Sequence, residues 1–176
     1  MAAAPTPAKP NQYSKAKPYL EMPEFSVEGG LHGEAQTVRI TNAPKFGSIR
    51  YTLDGRVPGR DSKRYTAPIT VAKPTTIRAR SYSNVSGESR TRSGTYLVGR
   101  EHSLPVVSIS VDPSQMFSPT IGIYSKGASA SHRFPYYGAN FWKDKELPAN
   151  VTLFEVDGTT AFNLDAGLKI FGGWSK

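Results

Sequence analysis

The stretch IRYTLDGRVP, residues 49–58, decides how this chain is read. Ile49, Tyr51 and Leu53 alternate with Arg50 and Thr52, the period of a strand with one face turned in and one turned out. Asp54-Gly55 then closes the strand, because glycine tolerates positive φ and aspartate accepts local hydrogen bonds. The pattern predicts a hairpin-type connection on a sheet surface. A chemical role for Asp54 would need partner donors. Asp61 flanks the same loop, but a calcium loop gathers more oxygens in close register, so both are read as solvated turn carboxylates.

The same texture extends in both directions. EFSVEGG (24–30), AQTVRITNAP (35–44), APITVAKP (67–74), TTIRARSYSNVSGES (75–89) and GTYLVG (94–99) each hold a short apolar alternation ended by Gly, Asn or Pro. Ile77 and Ala79, with the neutral face of Tyr82, are the expected apolar side of the longest run. Pro23, Pro44, Pro58, Pro68 and Pro74 fall between the runs, where a missing N–H costs no ladder bond. The expected fold class is mostly β, an immunoglobulin-like antiparallel β-sandwich over residues 21–98. Residues 1–20, rich in Ala, Pro and Lys, form an expected flexible lead-in without the apolar core of a signal peptide.

Beyond residue 98 the texture changes. LPVVSISVDP (104–113) starts as a continuous apolar run and is expected to be a strand buried on both faces. Asp112 as N-cap with Pro113 at the first helical position predicts one helical turn. Residues 122–140 read as a long surface loop. ANVTLFEVDGTTAFNLDAGLKIFGG (149–173) reads as a hairpin turning at Asp157-Gly158, so residues 99–176 are expected to be an incomplete β-rich (α+β) segment. Its last strand would present an open apolar edge, which predicts pairing with a second copy.

Bulk properties narrow the function classes. The 176 residues hold no cysteine, so no disulfide framework exists. No apolar run is long enough to span a bilayer as a helix. The formal charge of +8 is uneven: residues 1–100 hold 16 basic against 7 acidic residues, +9, and residues 101–176 hold 6 against 7, −1. No Lys/Arg run exceeds two residues and no nucleic-acid motif is present, so the excess reads as a solvated basic face and nucleic acid is not an expected partner. His32, His102 and His132 lack metal-ligand spacing, and no G-x-S-x-G elbow supports hydrolysis. Asn84-Val-Ser and Asn150-Val-Thr fit the glycosylation pattern.

Two stretches are candidate sites. FGGWSK (171–176) places Gly172 and Gly173 beside Ser175 and Lys176, a phosphate or nucleotide-loop candidate in which backbone N–H groups approach an anion. HRFPYYGANFWKD (132–144) gathers Phe134, Tyr136, Tyr137, Phe141 and Trp142. Tyr136, Tyr137 and Trp142 are the candidate platform for a sugar or peptide, against a reading in which the rings pin the loop to the core.

Two family resemblances follow from these motifs. Residues 49–58, 62–69 and 75–79 resemble the I-Y-Y-T-L-D-G-x-x-P, S-x-x-Y-x-x-P-I and T-T-I-K-A phrases of the chitobiase/β-hexosaminidase C-terminal-like, or fibronectin type III-associated, module. The similarity extends over about residues 22–97. It implies an immunoglobulin-like sandwich with no catalysis of its own. Residues 104–113, 122–124, 140–158 and 166–176 resemble the start of the CotH family of spore-coat, kinase-like proteins. That resemblance implies a larger secreted or surface-attached bacterial parent, an atypical kinase using ATP and Mg2+. The Asp-containing catalytic motifs of the family lie after GGWSK, so no cofactor and no catalytic residue are expected in this chain. The resulting expectation is a non-catalytic accessory piece acting in spacing, presentation or adhesion, outside the cell or on its surface. Its partner would be a protein or a polysaccharide. The alternatives are the N-terminal part of a secreted kinase and a carbohydrate-binding module.

Overall fold

The computed structural model describes residues 20–99 and 102–172. The lead-in up to residue 19, and Gly173, Ser175 and Lys176 of the glycine-rich candidate, lie outside the described residues. The fold is mostly β. Its strands are β1 (Glu24–Phe25), β2 (Gly30–His32), β3 (Gln36–Val38), β4 (Ile40–Thr41), β5 (Gly47–Thr52), β6 (Lys63–Arg64) and β7 (Ile69–Val71). There follow β8 (Thr75–Ser83), β9 (Gly87–Glu88), β10 (Arg92–Val98), β11 (Val106–Val111), the short helix α1 (Pro113–Phe117), β12 (Leu147–Phe154) and β13 (Thr160–Leu168).

Two layers make the sandwich. One is the sheet β2-β10-β8-β5-β6, with β9 added to β8; the other comprises the β1-β4 and β3-β7 pairs. Period-2 side chains fill the space between them: Phe25, Val38, Ile40, Ile49, Tyr51, Ile69, Val71, Ile77, Ala79, Tyr96 and Val98 form one buried cluster. Burying each large apolar side chain contributes about 1.5–3 kcal/mol. Pairing is antiparallel except that β2 lies parallel to β10, with Tyr96 opposite Gly30. Tyr96 is fully buried, and its hydroxyl donates to the Val27 carbonyl at 2.7 Å. Burial, then the nearby Glu28, raises its pKa well beyond the ordinary tyrosine value.

The opening stretch departs from its reading in detail. Ile49 and Tyr51 are buried, but β5 ends at Thr52 and Leu53 is exposed. Asp54-Gly55 does not make a tight hairpin turn. β5 and β6 pair antiparallel, yet residues 53–62 connect them, because Asp54 leaves the hairpin to bridge Thr76. Gly55 has φ +84°, as the turn chemistry requires, but it is buried, not on the surface. A Cβ there would lie 2.6 Å from the Val111 carbonyl oxygen, so the second half of the chain sits directly on it. Tyr82 also changes face: it lies on the outer side of β8, opposite Ser48, with its hydroxyl donating to the Pro58 carbonyl.

The second half forms a three-stranded antiparallel sheet, β11-β12-β13. The predicted hairpin is present, with Gly158 at φ +86° in the Asp157-Gly158 turn. The predicted helical turn is present too, with Asp112 Oδ1 accepting from the Ser114 amide at 2.8 Å. The strand within LPVVSISVDP is not buried on both faces. β11 is an edge strand whose Val107 and Ile109 are 57% and 52% exposed, because the alternating Ser108 and Ser110 are the residues turned toward the sandwich.

Candidate functional site

The polar face of the three-stranded sheet stacks on the outer face of β8 and β10. Thr76 and Arg78 of β8 lie across from Thr95 and Ser93 of β10. Facing them are Ser108 and Ser110 of β11 and Asn163 and Asp165 of β13. Ser110 Oγ donates to Thr76 Oγ1 at 2.9 Å, Thr76 and Thr95 share a hydroxyl bond of 2.9 Å, and Ser108 Oγ reaches Thr95 at 3.3 Å. Asn163 Nδ2 donates to the Ser93 carbonyl at 2.9 Å. Asn150 of the central strand β12, buried on the same face between Ser110 and Asp165, donates to Asn163 Oδ1 and the Leu164 carbonyl. The glycosylation pattern at Asn150 is therefore closed in the folded chain, whereas Asn84 is exposed.

Arg78 is the centre of this junction and is 2% exposed. Its Nε donates to Ser93 Oγ at 3.1 Å, its Nη1 to the Gly55 carbonyl at 3.0 Å, and its Nη2 lies 3.5 Å from Asp165 Oδ1. Burial lowers the guanidinium pKa from its ordinary value and Asp165 opposes that shift. One planar fork thus ties together β8, β10, the loop after β5 and β13. Sequence reading missed Arg78, because alternation marks it as an outward residue of a basic strand.

The aromatic candidates sit together on the loop between α1 and β12. Ala139 and Asn140 anchor that loop: Ala139 is fully buried, and Asn140 Nδ2 donates to the Thr120 carbonyl at 2.9 Å. The Tyr137 and Trp142 rings are 5.7 Å apart, and Phe141 lies 6.1 Å from Trp142. Trp142 Nε1 donates to the Pro135 carbonyl at 2.9 Å. Tyr137 is 57% exposed, whereas Trp142 is half-buried beneath it on a fastened loop. Tyr136 is not part of that pair. It has φ +60°, packs edge-on to Phe134, and its ring is covered by the Lys126 ammonium at 3.5 Å from the centroid.

The remaining sequence candidates are separate. Gly172 is at the end of the described residues with φ +141°. Asp54 is engaged by Arg56, through a backbone bond of 3.2 Å and an ion pair of 3.4 Å, and Arg56 also pairs with Asp112. Among the described residues, no three His, Cys, Asp or Glu side chains gather as a metal site, and no helix is long and apolar enough to cross a membrane.

With the geometry in place, comparison with known proteins gives one family match. Residues 27–93 match the chitobiase/beta-hexosaminidase C-terminal domain. The matched span is the body of the sandwich, from the approach to β2 to the start of β10. It does not bear on the CotH-like phrases, all of which lie after residue 93. No curated protein and no solved structure matches the chain.

Proposed function

We propose that the chain is a non-catalytic accessory piece of a carbohydrate-associated protein acting outside the cell or on its surface. Its sandwich holds the β11-β12-β13 sheet and the aromatic loop in one fixed orientation. The observation that carries this reading is the hydrogen-bonded junction around Arg78. A jointed spacer would leave the two halves linked only through residues 99–105. Here Ser110, Ser108 and Asn163 bond across to Thr76, Thr95 and the Ser93 carbonyl, and Arg78, buried in the sandwich, adds an ion pair across to Asp165. The family match over residues 27–93 supports the carbohydrate association. The parent suggested by the CotH-like phrases would receive its orientation, not its chemistry, from this piece.

The chain has no native cysteine, so paired spin labels report the geometry directly. Labels at Thr37→Cys and Lys143→Cys, both exposed sites in opposite halves, are expected to give one narrow distance distribution that broadens when Arg78→Ala is added. A broad distribution without that change would overturn presentation by a rigid junction. The non-catalytic part is tested separately: incubation with ATP and Mg2+ or Mn2+ is expected to give no phosphoryl transfer above blank. Transfer that survives repurification would refute it.

A second reading, a carbohydrate-binding module, is favoured by the exposed Tyr137 ring packed beside the half-buried Trp142. Pull-down on insoluble polysaccharide that is lost in Trp142→Ala, with the thermal midpoint retained, would support it.

A further inference from the structure

We infer that the outer face of the sandwich carries a binding groove for an acidic glycan, built on a row of arginines that only the strand register brings together. Arg50 of β5 lies directly opposite Arg64 of β6 on one side and Arg80 of β8 on the other. These side chains belong to the outward set, since Ile49, Tyr51, Ile77 and Ala79 form the inward one. Like charges directly opposite on neighbouring strands are destabilising, and strand spacing packs this row into about 10 Å. The fold neutralises only one end of it. Arg80 pairs with Glu88 at 3.1 Å and donates to the Ser89 carbonyl. Arg50 donates to the Ser62 carbonyl at 3.0 Å, a neutral partner. No carboxylate pairs with Arg50, Arg60 or Arg64 among the described residues, Asp61 included.

These residues enclose a groove of about 540 Å3 rather than a flat patch. Arg50, Arg60 and Arg64 line it with Ser48, Tyr82 and Asn84, and no acidic side chain contributes to the lining. Arg60 is held over the Tyr82 ring at 5.2 Å from its centroid, which fixes a fourth guanidinium beside the row. Guanidinium forks suit planar carboxylate, sulfate or phosphate groups. Ser48 and Asn84 offer neutral donors and acceptors of the kind that hydroxyl groups need. Phe46 stands at the mouth, 70% exposed, with Lys45 near its ring. One exposed ring can pack on a sugar, but it cannot stack successive bases as a single-stranded nucleic acid requires. The anionic part of this inference rests on the arginines alone. The glycan part rests on the carbohydrate association in the proposed function.

The test is titration of the full chain with an oligogalacturonate, a sulfated oligosaccharide, a neutral chito-oligosaccharide and single-stranded DNA of similar length, at two salt concentrations. One or both acidic oligosaccharides are expected to bind more tightly than DNA at the same salt, and the neutral one not to bind. Arg50→Gln with Arg64→Gln is expected to weaken binding at least about tenfold, equivalent to 1.4 kcal/mol. Arg90→Gln, an exposed arginine outside the groove, is expected to leave it unchanged. Arg64→Gln alone, on the exposed two-residue β6, keeps the test open should the double variant unfold; a loss of severalfold is expected. DNA binding as tight as the acidic sugars, or affinity insensitive to these variants in folded protein, would overturn the groove as a glycan site. Neither result depends on the rigidity that the spin labels measure.

Discussion

Arg78 is a buried cation that braces the sandwich from within and adds one ion pair, to Asp165, across the junction of the two sheets. Its three contacts lie on three different segments, and the Gly55 carbonyl that it satisfies is buried. Arg78→Met keeps much of the volume but strands that carbonyl, a cost of about 1–3 kcal/mol. Arg78→Lys is expected to recover only part of the loss, since an ammonium cannot reproduce the planar fork. Urea unfolding checks both; an unchanged midpoint in Arg78→Met would mean that the bonds of Arg78 add nothing to stability. Sequence patterning places Arg78 outward, and it is outward from its own sandwich. What patterning does not contain is the second sheet that stacks there. The arginine row is hidden for a related reason: Arg50, Arg64 and Arg80 are scattered in sequence, and only register makes them neighbours.

At the scale of elements, strands and turns were legible wherever a run had one buried face. Ile49 and Tyr51, Ile77 and Ala79, and the hairpin around Asp157-Gly158 all follow from period 2 and turn chemistry. Residues 104–113 misled because Leu104, Val106 and Val107 read as a continuous buried run, whereas an edge strand with a serine face needs no second apolar layer. The α1 cap was legible and carries a pH signature. Burial acts to raise the Asp112 carboxyl, but the hydroxyl and amide of Ser114, then Arg56, outweigh it and hold the pKa below the ordinary value. A group lowered on folding stabilises fully above its unfolded pKa, about 3.9, and that contribution is lost as pH falls through the folded value. Asp112→Ala is therefore expected to cost about 1 kcal/mol at neutral pH, with the difference shrinking below about pH 4. Asp157, lowered by its bonds from Thr159, supplies a second acid-sensitive turn that the single variant leaves intact. A difference that persists undiminished into strong acid would show that the cap works without its charge.

At the scale of the whole molecule, the second sheet is turned polar side in. Its serines and asparagines meet the sandwich, while Val107, Ile109, Phe162 and Leu164 face solvent on the other side. The hairpin itself is complete within one chain, with β12 and β13 paired from Leu147↔Leu168 to Phe154↔Thr160. What stays uncovered is the part of the apolar face around Val107, Ile109, Phe162 and Leu164, since Leu147 and Ala149 on the same face are buried, and the outer edge of β13. Edge strands template pairing, and apolar patches on soluble proteins mark contacts. A second copy satisfies both at once, because antiparallel pairing of two β13 edges about a twofold axis joins the two sheets and brings identical patches side by side. Full burial of one such side chain contributes about 1.5–3 kcal/mol, less here because each is already half covered. The association should therefore be weak and visible only at high concentration. Sedimentation equilibrium across a dilution series is expected to show a mass that rises with concentration. Leu164→Lys should return the chain to monomer without lowering its unfolding midpoint, since Leu164 is already 47% exposed. A chain that stays monomeric at every concentration, with amides of residues 160–168 equally protected throughout, would show that the half-open sheet needs no partner.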